Sequence, residues 1–339
     1  MIPLAVGYQY IPGGENFASV ALSFPEVKEV YFPWPEEPSG RPRLGHNDEE
    51  NAEELAEALQ MELRKLRAAG VRLDLLLNAN CYGSQAMSVA LERHVAEVLE
   101  TLNAWGCLPE VVTTASPFVA RTVKTCAPAG IDVRASVNMR LGTIQALAYL
   151  APLFDSFYIQ RDVQRNLETV KRIHDWCAAH GKKLGILANS GCLRNCPWQT
   201  FHDNLIAHSA AAERRANADW NPHLCWTLYR EEGNFPEILK ATWIRPEDLN
   251  RYEGLVDFAK LATRQHASPR LVIGAYARRS FDGNLLDLLE PGFAPAFGRV
   301  ALDNKAFPSD WAERVGACPR ECTACGYCED VFRAVACEV

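Results

Sequence analysis

The chain has 339 residues, 48% of them hydrophobic and 23% charged, with a formal net charge of −7. That balance excludes a mostly disordered chain, and the net charge does not favour nucleic acid as a partner, a local basic patch aside. No window approaches the roughly 18 consecutive apolar residues of a membrane span. Met1–Gly7 lacks the basic start of a secretory signal, so a cytoplasmic protein is expected.

In chain order, Leu4–Tyr10 reads as a strand, Phe17–Leu22 as a short helix and Glu29–Pro33 as a second strand. Pro35–Asn47, rich in proline, glycine and charge, reads as a long loop. Asp48–Ala69 reads as a helix, acidic at its start and basic near its end, with Leu55, Leu59, Leu63 and Leu66 on one face. Strand Leu73–Asn78, helix Val89–Ala104, strand Val111–Thr114, helix Pro117–Thr125 and strand Asp132–Ser136 follow. Helix Thr143–Leu150, strand Ser156–Ile159, helix Asn166–His180 and strand Lys183–Leu187 continue the alternation. A cysteine-bearing irregular stretch then carries a helix over Asn204–Arg215. The strand Ala241–Ile244, a helix Pro246–Gln265 and an Arg-rich tail come after it. Eight strands alternating with helices predict a parallel TIM-type (β/α) barrel. It is expected over residues 1–290, with a Cys-rich extension over 291–339.

The predicted strand ends are polar. They run into Asn78-Ala79-Asn80-Cys81, Asn138-Met139-Arg140, Gln160-Arg161, Asn189-Ser190 and Arg245. One such residue is explained by helix capping. Five ends on one barrel face predict a pocket of amides and guanidiniums for an anionic or amide-bearing small molecule. Asn80, Cys81, Asn138, Arg140, Arg161 and Arg245 are therefore the candidate catalytic residues. Cys81 reads as a ligand, a nucleophile or an inert thiol.

Seven of the 12 cysteines lie in or near two short clusters. Cys192 and Cys196 share a turn in Cys-x3-Cys spacing, with Cys225 further on; thiolates so arranged suit an iron–sulfur cluster or zinc. Cys318, Cys322, Cys325 and Cys328 form a Cys-x3-Cys-x2-Cys-x2-Cys run, four soft ligands within 11 residues. Iron–sulfur and zinc both suit it. Cys107 and Cys177 read as structural. His202, Asp203 and His208 read as surface or cap residues, since two histidines six apart fall on different helix faces.

The stretch Gly191-Cys192-Leu-Arg-Asn-Cys196-Pro-Trp198 resembles the signature of the collagenase-like U32 peptidase family. Cys225 and the segment Leu239–Leu249, with its basic Arg245, agree with it over about residues 1–265. The resemblance implies a barrel-like fold holding a 4Fe–4S cluster, with Cys192, Cys196 and Cys225 as ligands. It also implies oxygen-independent hydroxylation of small molecules or RNA bases rather than proteolysis. The family's cysteine shortly before the Cys-x3-Cys pair is missing, because Leu184–Ser190 contains none. Cys81, a C-terminal cysteine or an open iron is the expected substitute. The C-terminal run is an addition that looks like a second cluster site. The leading expectation is an iron–sulfur oxidoreductase served by an electron donor or acceptor protein. A metal-dependent hydrolase or peptidase and a zinc-knuckle scaffold are the alternatives. No Gly-x-Ser-x-Gly or His-Glu-x-x-His motif supports hydrolysis.

Overall fold

The computed structural model describes residues 1–10, 13–35, 37–40, 52–209, 215 and 217–338. Eight parallel strands close into a barrel in chain order. They are β1 (Leu4–Gly7), β2 (Val27–Pro33), β3 (Arg72–Leu77), β4 (Val111–Thr114), β5 (Asp132–Ala135), β6 (Ser156–Tyr158), β7 (Lys183–Leu187) and β8 (Phe258–Leu261). β8 closes the ring on β1, with Leu4 opposite Ala259 and Val6 opposite Leu261. The expected TIM-type barrel is the observed fold.

Most helices between the strands combine a side-chain cap with one apolar face. α1 (Phe17–Leu22) starts at Asn16, whose side chain accepts from Ser19 N, and α2 (Ala52–Ala68) buries the four leucines expected of it. α3 (Val89–Ala104) starts where Ser88 Oγ accepts from Leu91 N at 3.0 Å. It buries Leu91, Val95, Val98, Leu99 and Leu102 at helical spacing. α4 (Pro117–Cys126) combines a Ser116 cap with proline in its first turn. α5 (Ile144–Leu150) and α6 (Leu167–Ala179) are capped by Thr143 and Asn166. Cys107 and Cys177 are buried in the core, as expected. The expected helix start at Asp48 and most of the loop Pro35–Asn47 lie outside the described residues.

The eighth strand is not where its apolar run suggested. Ala241–Arg245 belongs to no strand, and strand β8 lies inside the stretch expected as the helix Pro246–Gln265. The run Ala241–Arg245 is instead pinned outside the barrel beyond β7. Ile244 N donates to Ala188 O at 2.7 Å, Gln164 Nε2 donates to Thr242 O at 2.7 Å, and Arg165 Nε donates to Trp243 O at 2.7 Å. Buried Trp243 stacks on Trp311, 5.8 Å between ring centres. Those contacts bury the apolar side chains that a barrel strand would otherwise have to bury. After β8 the expected Arg-rich tail contains a helix, Pro269–Ala277. The predicted helix Asn204–Arg215 is shifted: α7 spans Gln199–Ala207, and 210–214 lie outside the described residues.

Beyond residue 290, Phe293, Phe297, Phe307, Trp311, Val331 and Val335 are continuous with the barrel's apolar core. β9 (Val300–Leu302) and β10 (Ala336–Glu338) pair antiparallel, bringing the chain end back against this segment.

Glycine lets bulky groups turn inward at two places. A Cβ on Gly185 would lie 2.0 Å from the Phe258 ring, and one on Gly7 would lie 2.6 Å from the Tyr31 ring. The barrel interior therefore holds rings opposite bare backbone.

Candidate active site at the barrel mouth

The barrel interior is charged, which the sequence reading missed. Arg134 is fully buried, and its guanidinium donates to both carboxylate oxygens of Glu29. Its Nε donates to Ser156 Oγ at 3.0 Å and its Nη1 to the Tyr158 hydroxyl at 3.3 Å. Asp74 Oδ2 lies 3.5 Å from the same Nη1 and accepts from Thr113 Oγ1 at 2.8 Å. Burial pushes the Asp74 carboxyl up to about 7 against the pull of Arg134. Burial also acts to raise Glu29, but its two-point contact with Arg134 overrides this and holds it below the ordinary range. Charged residues in the middle of otherwise apolar strands were the signal for this cluster.

Above it, at the carboxyl ends of the strands, lies a pocket of about 520 Å³, counting its solvent-open mouth. Barrel enzymes place their chemistry on this face. Its apolar wall is Tyr31, Leu76, Val137 and Leu187; its polar groups are Asn78, Asn138, Arg161, Lys260, Arg264 and Glu290. Asn78 Oδ1 accepts from Gly40 N at 3.1 Å. A Cβ on Gly40 would meet Asn138 Nδ2 at 2.7 Å, so glycine lets the loop after β2 lie against both amides. Amides and guanidiniums line the pocket, Asn138 and Arg161 among them.

Other candidates face elsewhere. Asn78, in phase with inward-facing Asp74 and Leu76, lines the pocket in place of Asn80. Cys81 Sγ accepts from Gly83 N at 3.3 Å, beside His208 at the far end of α7 from Cys196. Arg140 takes a left-handed conformation, φ 56°, that turns it to α7. There its Nη1 donates to Thr200 Oγ1 at 2.9 Å and its Nη2 sits 3.4 Å from Asp203. Arg245 is held by Asp248 through two bonds of 2.9 Å and by Asn304 O, over the Phe307 ring. It braces the wall around Trp243 and does not line the pocket. His208 ends α7, and the His202 ring lies 4.7 Å from that of His223.

The Cys192–Cys196 turn does leave β7 at the mouth. Asn189 is fully buried and locks it there, donating to Ala262 O and Leu288 O and accepting from Ala262 N. Asn195 takes a left-handed φ of 53°, and its N–H donates to Asp162. Cys225 comes from the helix Leu224–Tyr229. Burial pushes its thiol up to about 12, and the Cys192 and Cys196 sulfurs add to the shift, so the three lie within reach of one another's charge. Burial, then Cys192, raises Cys196, with Arg161 pulling the other way. Arg161 Nη1 donates to Cys192 Sγ at 2.9 Å and to Ser190 Oγ at 3.2 Å. One guanidinium thus touches the thiol group and lines the pocket.

The C-terminal cysteines stand next to this turn. Arg194, between Cys192 and Cys196, donates from Nη2 to Cys322 Sγ at 3.1 Å. Cys318 Sγ accepts from Arg320 N, Cys328 is half-buried with its thiol pushed up to about 11 by burial, and Cys325 is exposed. Among the described residues, no three Cys, His, Asp or Glu side chains are drawn together as a metal cage.

Comparison with known proteins agrees with the barrel fold. No family model matches the chain. An uncharacterized protease of Methanocaldococcus jannaschii is 27% identical over 311 residues, spanning 90% of this chain and 88% of its own. A solved U32 peptidase superposes with a TM-score of 0.53 at 14% identity, covering 77% of this chain and 92% of that one. The resemblance to the U32 peptidases is borne out. It holds for the barrel fold and for the length of chain matched; the chemistry is argued from the residues.

Proposed function

We propose that the protein is an iron–sulfur-dependent oxidoreductase of the U32 type, acting in a reducing compartment such as the cytoplasm on a small molecule bound at the barrel mouth. The observation that carries this reading is Arg161, which lines the pocket and donates to Cys192 Sγ at 2.9 Å. A hydrogen bond from a cation to sulfur stabilises thiolate and tunes the potential of a cluster held there. The donor set fits three corners of such a cluster: Cys192, Cys196 and Cys225, all soft ligands. A 4Fe–4S cluster would supply one-electron chemistry, with oxygen-independent hydroxylation as the net reaction expected from the resemblance.

The chain's own residues do the remaining work. Asn78 and Asn138 offer amide donors and acceptors to the substrate from the β3 and β5 ends, while Tyr31, Leu76 and Leu187 hold its apolar part and exclude water. Arg161 orients the substrate against the thiol side. Among the residues near the turn, Cys322 is the best-supported fourth ligand, because Arg194 ties it to the turn; Cys81 stands at the other end of α7. The other C-terminal cysteines, Cys318, Cys325 and Cys328, are proposed to hold a second cluster or zinc and to face an electron donor or acceptor protein.

A hydrolase reading rests on the names of the relatives. None of the described residues lining the pocket is a serine, cysteine or histidine, the usual nucleophiles and bases of acyl transfer. Anaerobic purification tests the proposal. Iron and acid-labile sulfide in near-equal amounts, with charge-transfer absorbance bleached by dithionite, are expected. Zinc alone, with peptide hydrolysis, would overturn it.

A further inference from the structure

Lys260 enters the barrel from β8 and is only 8% exposed, yet among the described residues its ammonium makes no hydrogen bond and no ion pair. Its ammonium lies over ring faces instead, 3.7 Å from the centre of Tyr31 and 5.3 Å from that of Tyr158. An ammonium held this way has donors in need of an acceptor, and the pocket is where one can enter.

The other charges set what kind of acceptor. Arg161 already donates to Cys192 and Ser190, and Arg264 donates to Ser39 Oγ at 2.9 Å. Glu290 is the one acidic residue among the described lining residues. Below the floor, Glu29 is matched by Arg134. Asp74 below is the acid whose charge acts most on Lys260. With Arg161 and Arg264 already holding partners, Lys260 is the lining cation left to meet a ligand, which suits a single carboxylate better than a phosphate dianion. The wall of Tyr31, Leu76, Val137 and Leu187 calls for an apolar body behind that charge.

We infer that the mouth pocket takes a small organic monocarboxylate with a ring or short apolar chain, its carboxylate anchored by Lys260 and its far end presented toward Arg161 and Cys192. This deepens the proposed function by naming the substrate class, and it rests on that reading only for what happens to the bound molecule. Burial pulls the Lys260 amine down to about 8, so an arriving carboxylate would also secure its charge.

The test is calorimetric binding of benzoate and of its neutral counterpart benzamide to the full chain, with iron content measured on the same sample. Benzoate should bind about tenfold more tightly than benzamide, the scale of one charge-assisted contact. Lys260→Met should lose that preference, Lys260→Arg should keep most of it, and inorganic phosphate should not displace benzoate. Equal binding of the two probes by the unaltered chain, no binding of benzoate at millimolar concentration, unchanged preference in Lys260→Met, or displacement by phosphate would each overturn the inference. The first two outcomes need no variant to fold. Benzoate binding by iron-free protein would count against the redox function while leaving this inference standing; an iron-loaded protein indifferent to benzoate would do the reverse.

Discussion

Replacing Arg134 with methionine should be among the most damaging single changes in the barrel interior. The side chain is fully buried, and its guanidinium makes two bonds to Glu29 and one each to Ser156 and Tyr158, with Asp74 3.5 Å away. Methionine keeps the apolar stem over the Phe258 ring, where the guanidinium carbon lies 4.0 Å from the ring centre. It removes the charge and strands Glu29, itself 5% exposed, with the half-exposed Arg72 at 3.5 Å and the charge of Lys260 beyond hydrogen-bond reach. Leaving one partner of a buried ion pair unmatched costs about 3–5 kcal/mol. Urea denaturation followed by tryptophan fluorescence measures this as a lower midpoint at unchanged slope. The double change Arg134→Met, Glu29→Gln removes the stranded Glu29 carboxylate, leaving only Asp74 without its cation, so it should recover at least about 1 kcal/mol of the single variant's loss. A cost below about 1 kcal/mol for Arg134→Met, or strict additivity of the two changes, would refute the view that this cluster is an interdependent ion pair.

Three further outcomes follow from the same geometry. Asp74 is raised from 3.8 to about 7, so the folded state holds a proton the unfolded state has released, and its contribution to stability is lost as pH rises across that window. Asp74→Asn should therefore gain on the unaltered protein from the lower to the upper end of the window; parallel urea midpoints would show that Asp74 does not titrate there. Arg245→Gln should lower stability by about 1–3 kcal/mol through its lost Asp248 contact, while leaving iron content and benzoate binding intact. A loss of iron without a loss of stability would return Arg245 to the site. Cys325→Ser with Cys328→Ser, which leaves Cys322 in place, should remove one metal centre, read as metal per chain, with the circular dichroism of the barrel kept; unchanged metal content would mean that the C-terminal run holds none of its own.

Seven strands were legible because each is a short apolar run followed by a polar turn and a helix. β8 was not, because Phe258–Leu261 places a lysine inside the barrel, while the more apolar Ala241–Ile244 packs against Arg165 and Trp311 outside it. The same blindness hid Glu29, Asp74 and Arg134: a charge in a strand reads as an outward residue unless its partner, up to 105 positions away, is known. In the site, Arg161 and Asn138 could be read from strand ends. Asn78 was passed over for Asn80 because the end of β3 at Leu77 fixes which asparagine still points inward. Arg140 and Arg245 have the right chemistry at strand-like ends, but a left-handed φ in one case and a neighbouring aspartate in the other turn them away. The contact of Arg194 with Cys322 joins segments 128 residues apart, and no local pattern announces it.

The central claim is that Cys192, Cys196 and Cys225 hold an iron–sulfur cluster at the mouth. Its most direct test compares two anaerobically purified chains, one with Cys318, Cys322, Cys325 and Cys328 all replaced by serine and one carrying Cys192→Ser and Cys196→Ser as well. The first should keep iron, sulfide and charge-transfer absorbance after reconstitution, at an occupancy reduced by the loss of Cys322. The second should lose all three. Iron–sulfur absorbance that survives in the second chain would contradict the account, since no cluster would then depend on the turn that follows β7.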